Sequence, residues 1–146
     1  MADSSSHEPE IVVESLDSKL ESVDRAEEIA VTAALNAGFD EDDQLKIGMS
    51  VRESVVNAVA HGNKYNAHKK VHFSVMMNGR SLTITVGDEG EGFDLENLPD
   101  PLAPENLMRT SGRGIFLIRS FMDEVQIRRR QPSGTEVTLV KYAVSK

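Results

Sequence analysis

The 146-residue sequence contains no cysteine, which excludes a disulfide framework and any thiolate metal centre and fits a reducing compartment. No apolar run approaches the roughly 18 residues of a membrane-spanning helix, and the polar N-terminus lacks a signal-peptide pattern. Positive charge is short as well. Sixteen Lys and Arg stand against 24 Asp and Glu, a net charge of −8, which argues against non-specific nucleic-acid binding. Two familiar phosphate-binding signatures are missing: there is no GxxxxGK(S/T), and no GxGxxG opens a helix after a parallel strand. What remains is an ordinary globular composition, 39% hydrophobic and 27% charged, on a length suited to one core. These bounds predict a soluble cytoplasmic domain over residues 10–146 behind a disordered tail, MADSSSHEP, at 1–9.

Along the chain, Ile11-Val12-Val13 marks a first strand from Glu10 to Leu16. Asp17 or Ser18 is placed to cap a helix from Leu20 to Asn36, with Gly38 as its stop. The acids of Asp40–Asp43 suit the positive end of a second helix running to His61. Val71, Phe73, Val75 and Met77 alternate with His72, Ser74 and Met76 at strand period. Asn78-Gly79 is a favoured hairpin turn, after which Leu82, Ile84 and Val86 form the returning strand. Residues 94–111 carry Pro99, Pro101 and Pro104 with little periodicity, the pattern of a functional lid. A third helix runs from Gly112-Arg113-Gly114 to Met122, and strands near Asp123–Arg130 and Thr135–Tyr142 flank the turn Gln131–Gly134. The order predicts an α+β fold, helices layered on one face of a largely antiparallel sheet.

On a helical wheel, residues 44–61 divide unevenly. Apolar side chains fill most of the circumference with Arg52 as the exception, while Lys46, Ser50, Glu53, Ser54, Asn57 and His61 share a narrow strip. The plain reading is a core helix with a solvated edge. The functional reading sets Glu53 and Asn57, four residues apart, side by side over a ligand. A carboxylate can accept a proton, and an amide oxygen suits a hard cation such as Mg²⁺. His61 has no second histidine at ligand spacing, so a zinc site is discounted.

Two glycine clusters follow. "DEGEGF" at 88–93 closes an apolar strand, either as a solvated turn or as a place where Asp88 grips a ligand that glycines admit to the backbone. Gly112-Arg113-Gly114 opens a helix whose free N–H groups suit phosphate, or else needs glycine for tight packing. Each is weak by itself. Their order is informative: acid–amide helix, Asp-x-Gly-x-Gly at a strand end, long lid, Gly-x-Gly at a helix start.

That ordered set resembles the GHKL, or Bergerat-fold, ATPase superfamily. "ESVVNAVAHGN" (53–63) looks like its N box, "DEGEGF" its first glycine box, and "SGRGIFLIRSFMDEV" (111–125) its second. Within it the sequence is similar to bacterial anti-sigma-factor serine/threonine kinases, over about residues 10–143. The resemblance implies a two-layer α/β sandwich on a mixed, largely antiparallel sheet, with ATP and Mg²⁺ as cofactors. It implies Glu53 as general base, Asn57 as Mg²⁺ ligand, and Asp88 as acceptor from the adenine amino group. Gly90 and Gly92 would shape the adenine pocket, and Gly112, Arg113 and Gly114 would end the lid and face the phosphates. Thr135 matches a threonine near the base, and Arg109 a lid arginine that reaches phosphate. Position 60 departs from the histidine-kinase pattern, with Ala60 in place of lysine, and no phosphoacceptor-histidine helix is expected upstream. The implied activity is γ-phosphoryl transfer to an anti-sigma-factor antagonist, with a sigma factor as sequestered partner and a homodimer as assembly; no nucleic acid or membrane is bound directly. The rival is a non-catalytic module in which ATP only shapes a partner-binding surface. A gyrase-like ATPase is disfavoured, because transducer and dimerisation segments are not expected.

Overall fold

The computed structural model describes residues 10–91 and 112–143. The first strand, β1 (Glu10–Asp17), is followed by helices α1 (Glu21–Asn36) and α2 (Glu41–Val56) and by a wider π-helical turn, Asn57–Gly62. Then come β2 (Lys70–Asn78), β3 (Ser81–Gly87), α3 (Gly112–Phe121), β4 (Glu124–Arg129) and β5 (Thr135–Tyr142). The strands form one sheet in the order β1-β2-β3-β5-β4, and every pairing among them is antiparallel. This is the expected α+β, two-layer arrangement.

The period-2 pattern sets which face is buried. Val71, Phe73 and Val75 of β2, Leu82, Ile84 and Val86 of β3, and Val137 and Leu139 of β5 all point into the helix layer. Register keeps them level: Phe73 faces Val86, and Val86 faces Val137. From the helices, Ala26, Ala30, Ile47, Val51, Val55, Ile115 and Ile118 complete the core. A one-residue slip would turn each strand's apolar set to solvent, so the register is strongly specified.

Local signals account for most boundaries. Asp40 caps α2 by accepting from the Asp43 N–H at 2.8 Å. Gly38 ends the α1 region in a left-handed conformation, φ +91°, that other residues adopt only with strain. Three expectations are corrected. The cap residue of α1 is Leu20, with no side-chain cap; Ser22 Oγ donates to the Asp17 carbonyl instead, and Ser18 turns its hydroxyl to Lys69. The hairpin loop is Gly79-Arg80, since Asn78 is still paired with Ser81. The second helix does not run unbroken to His61; it widens at Asn57.

Candidate functional site

Glu53 lies in the last turn of α2, partly buried, and Asn57 begins the π-helical turn with only 7% of its surface exposed. The Asn57 backbone N–H donates to the Glu53 carbonyl, so the two side chains emerge one turn apart on the same side. The wheel's polar strip proves heterogeneous. Ser50 and Ser54 are fully buried, His61 is exposed, and Leu45 and Met49 from the apolar arc reach solvent. Arg52 is explained by its partners on α1, Asp24 at 2.8 Å and Glu27 at 2.7 Å.

The π-helical turn ends at Gly62, directly against Asp88. A Cβ added at Gly62 would sit 2.3 Å from Asp88 Oδ2, so only glycine lets the carboxylate approach this closely. Asp88 is buried and held by backbone. Its Oδ1 accepts from the Gly90 N–H at 2.9 Å and the Thr135 N–H at 3.1 Å, and its own N–H donates to the Thr135 carbonyl at 2.9 Å. Gly134, at φ +102°, closes the third side: a Cβ there would fall 1.9 Å from the Asp88 carbonyl oxygen. Burial pushes the Asp88 carboxyl above its ordinary range, against the lowering effect of the Gly90 and Thr135 N–H groups and the charges of Arg130 and Lys69. Both backbone donors go to one oxygen. Among the described residues no hydrogen bond engages Oδ2, which remains to accept from a ligand N–H.

The next residue faces the other way. Glu89 meets His72 Nε2 at 2.6 Å and accepts from the Lys70 N–H at 3.1 Å. Burial alone would raise its carboxyl, but the His72 and Lys70 hydrogen bonds and the nearby charges of His72 and Arg130 outweigh it and hold it below the ordinary range. Two adjacent carboxylates are thus shifted in opposite directions. Asn63, 1% exposed, joins the segments: Oδ1 accepts from the Glu89 N–H at 2.7 Å, and Nδ2 donates to Ser18 Oγ and the Lys70 carbonyl, each at 2.9 Å.

Of the sequence-predicted residues, Asp88, Gly90 and Thr135 form one hydrogen-bonded cluster, and the turn Asn57–Gly62 carries the acid–amide helix end to it. Gly112 and Arg113 lie in the first turn of α3, where backbone N–H groups have no partner within the helix itself, and Gly114 is buried. α3 packs on α2, so the phosphate-type helix start belongs to the same layer as Glu53 and Asn57. Gly92, Arg109 and the expected lid at 94–111 fall outside the described residues. Gly62, Asn63 and Gly134 carry no assigned role in the sequence; their signal there is the HGN that closes the 53–63 motif and the glycine that precedes Thr135. Among the described residues no group of three His, Cys, Asp or Glu could enclose a metal. An amide oxygen such as that of Asn57 is a hard donor of the kind Mg²⁺ accepts, and Mg²⁺ keeps waters and takes phosphate oxygens rather than needing a full protein cage.

The chain is 35% identical, over 129 residues and 86% of each chain, to proteins named anti-sigma F factor from Bacillus cereus and Bacillus thuringiensis. Its fold superposes with TM-score 0.67 and 17% identity on the structure of the RsbU and RsbW domains of a Mycobacterium tuberculosis protein. That match covers 94% of this chain and 33% of the longer one. The histidine kinase-like ATPase domain matches residues 16–141, from the end of β1 into β5, and the chain belongs to that family.

Proposed function

We propose that this chain is an anti-sigma-factor serine/threonine kinase: it binds ATP, transfers the γ-phosphoryl group to an antagonist protein, and sequesters a sigma factor. The family supplies ATP binding. The names of the Bacillus relatives support the anti-sigma role. The observation that carries the nucleotide reading is the Asp88 cradle, a buried carboxylate with one oxygen saturated by backbone and glycines where side chains would intrude.

In this reading Asp88 Oδ2 accepts from the 6-amino group of adenine, and Gly90 and Gly92 shape the pocket around the base. Thr135 fixes Asp88 through both of its backbone groups. The N–H groups at the start of α3, with Gly112, Arg113 and Gly114, steady the phosphates, and Arg109 supplies positive charge to them. Mg²⁺, held by Asn57, would neutralise charge on the phosphate oxygens. Glu53 takes the proton of the attacking hydroxyl. Ala60 removes the lysine of the histidine-kinase pattern, consistent with a hydroxyl acceptor.

Two further features support the assembly and setting. β1 is an edge strand with Ile11 59% and Val13 73% exposed, an apolar edge of the kind that pairs with another chain and fits a homodimer. No helix among the described residues is long and apolar enough to cross a membrane, which suits cytoplasmic work on soluble partners. The test is a pull-down from native cytosol with and without ATP, followed by phosphosite mapping of what is captured. ATP-dependent capture with a new phosphoserine or phosphothreonine on the partner supports the kinase. Capture that needs ATP but leaves the partner unmodified would make the chain a binding module.

A further inference from the structure

We infer that Asn63 is a positioning residue for base recognition: its side chain fixes where the Asp88 carboxylate stands and thereby sets selectivity for a 6-amino purine. This rests on the reading of Asp88 as the base acceptor.

Asn63 is one of the least exposed polar residues among those described, and both its amide N–H donors and its amide oxygen are engaged. The two Nδ2 bonds, to Ser18 Oγ and the Lys70 carbonyl, are structural: they tie the end of β1 and the start of β2 to the π-helical turn. The Oδ1 bond is different, because it takes the backbone N–H of the residue immediately after Asp88. The Asp88 peptide is therefore held at two ends. On one side it pairs with Thr135; on the other, the Glu89 N–H is clasped by Asn63 at 2.7 Å. Between those points the carboxylate is pressed on Gly62, the neighbour of Asn63, and Gly90 comes so near the Gly62 carbonyl that a Cβ would lie 2.3 Å from it.

The other contacts of Glu89 do not replace this clasp. His72 and the Lys70 N–H hold its carboxylate, at the end of a side chain with rotatable bonds, and leave its peptide free to shift. Asn63 is itself anchored, because its N–H donates to the Ala58 carbonyl at 2.8 Å and closes the π-helical turn. Any displacement of the 88–90 segment away from Gly62 moves Oδ2 off the position from which it would meet a 6-amino group. Hydrogen bonds weaken steeply with such misalignment.

The test compares ATP with ITP, which presents a carbonyl at the 6-position, in equilibrium titrations of wild type, Asn63→Ala and Ser18→Ala. Wild type should prefer ATP by about 10- to 100-fold, the range for a charge-assisted hydrogen bond. Asn63→Ala should bind ITP as wild type does and lose most of the preference for ATP. Ser18→Ala disturbs the same network from its far side, so it should lose stability and keep the preference. Asn63→Ser, too short to reach the Glu89 N–H, carries the same expectation should Asn63→Ala not fold. A wild-type ATP preference that survives in the Asn63 variants overturns the inference while leaving Asp88 as reader. Equal ATP and ITP affinity in wild type overturns the reading of Asp88 itself, and the inference with it.

Discussion

Asp88 and Thr135 are paired twice: the Asp88 N–H donates to the Thr135 carbonyl at 2.9 Å, and the Thr135 N–H donates to Asp88 Oδ1 at 3.1 Å. The end of β3 is thereby locked to the start of β5, and one carboxylate oxygen is consumed in doing so. The other oxygen is the one available to a ligand. Asp88→Asn keeps an acceptor for the two backbone donors but turns an N–H₂ toward the adenine amino group. ATP affinity should fall by about 10- to 100-fold, the cost of losing a charge-assisted hydrogen bond. Calorimetric titration with ATP checks this, and an unchanged dissociation constant would remove Asp88 from the site.

The opposite shifts of Asp88 and Glu89 predict opposite pH signatures. Asp88 is raised above its ordinary 3.8, so its contribution to stability is fully present below that value and is lost as pH rises through the folded-state pKa. Asp88→Asn should therefore be more stable than wild type at neutral pH, with the gain vanishing in acid. Glu89 is held below its ordinary 4.5, so its contribution is present above that value and is lost as pH falls through the folded-state pKa. Glu89→Gln should be less stable than wild type at neutral pH and converge with it in acid. Urea denaturation of the three proteins over a pH series reads both signs.

Gly62→Ala should be among the most damaging single-methyl changes in this protein. The new Cβ would lie 2.3 Å from Asp88 Oδ2, and overpacking of this kind costs about 1–3 kcal/mol. Any relief requires Asp88 to move, so nucleotide affinity should fall along with stability. Gly38→Ala separates backbone strain from crowding: φ is +91° but nothing lies within 4 Å of the new methyl. It should cost about 1–2 kcal/mol, the penalty for a left-handed residue, and leave ATP binding unchanged. Thermal melts with parallel titrations distinguish the two.

Arg52 offers a contrast on the same helix as Glu53. Its ion pairs to Asp24 and Glu27 are solvent-exposed, so Arg52→Ala should cost less than about 1 kcal/mol and leave nucleotide affinity untouched. A large loss of ATP binding in this variant would show that the α1–α2 contact reaches the site.

Much of the fold was legible because it rests on local periodicity. The alternation of Val71 to Val75 and of Leu82 to Val86 announced the hairpin, Gly38 announced the end of α1, and the acids of Asp40–Asp43 announced the start of its successor, which Asp40 turns out to cap. The widening at Asn57 was hidden, since a π-helical turn keeps nearly the same sequence pattern as an α-helix. At the site, the acid–amide pair and the glycine boxes could be read in order, but the clasp could not. Asn63 reaches Glu89, and Gly134 reaches Asp88, only after β2, β3 and β5 have paired. Ser18 looked like a helix cap because a serine before a helix has that local use; its tertiary partners Lys69 and Asn63 outcompete it.

The central claim is that the acid–amide end of α2 performs phosphoryl transfer, and radiolabelled transfer from ATP to a captured partner tests it most directly. Glu53→Ala should bind ATP nearly as wild type does while transfer falls by about 10²- to 10⁴-fold, the usual contribution of a positioned base. Asn57→Ala should differ by weakening Mg²⁺-dependent nucleotide binding itself, through loss of a metal ligand. Normal transfer by Glu53→Ala, with ATP binding intact, would contradict the account.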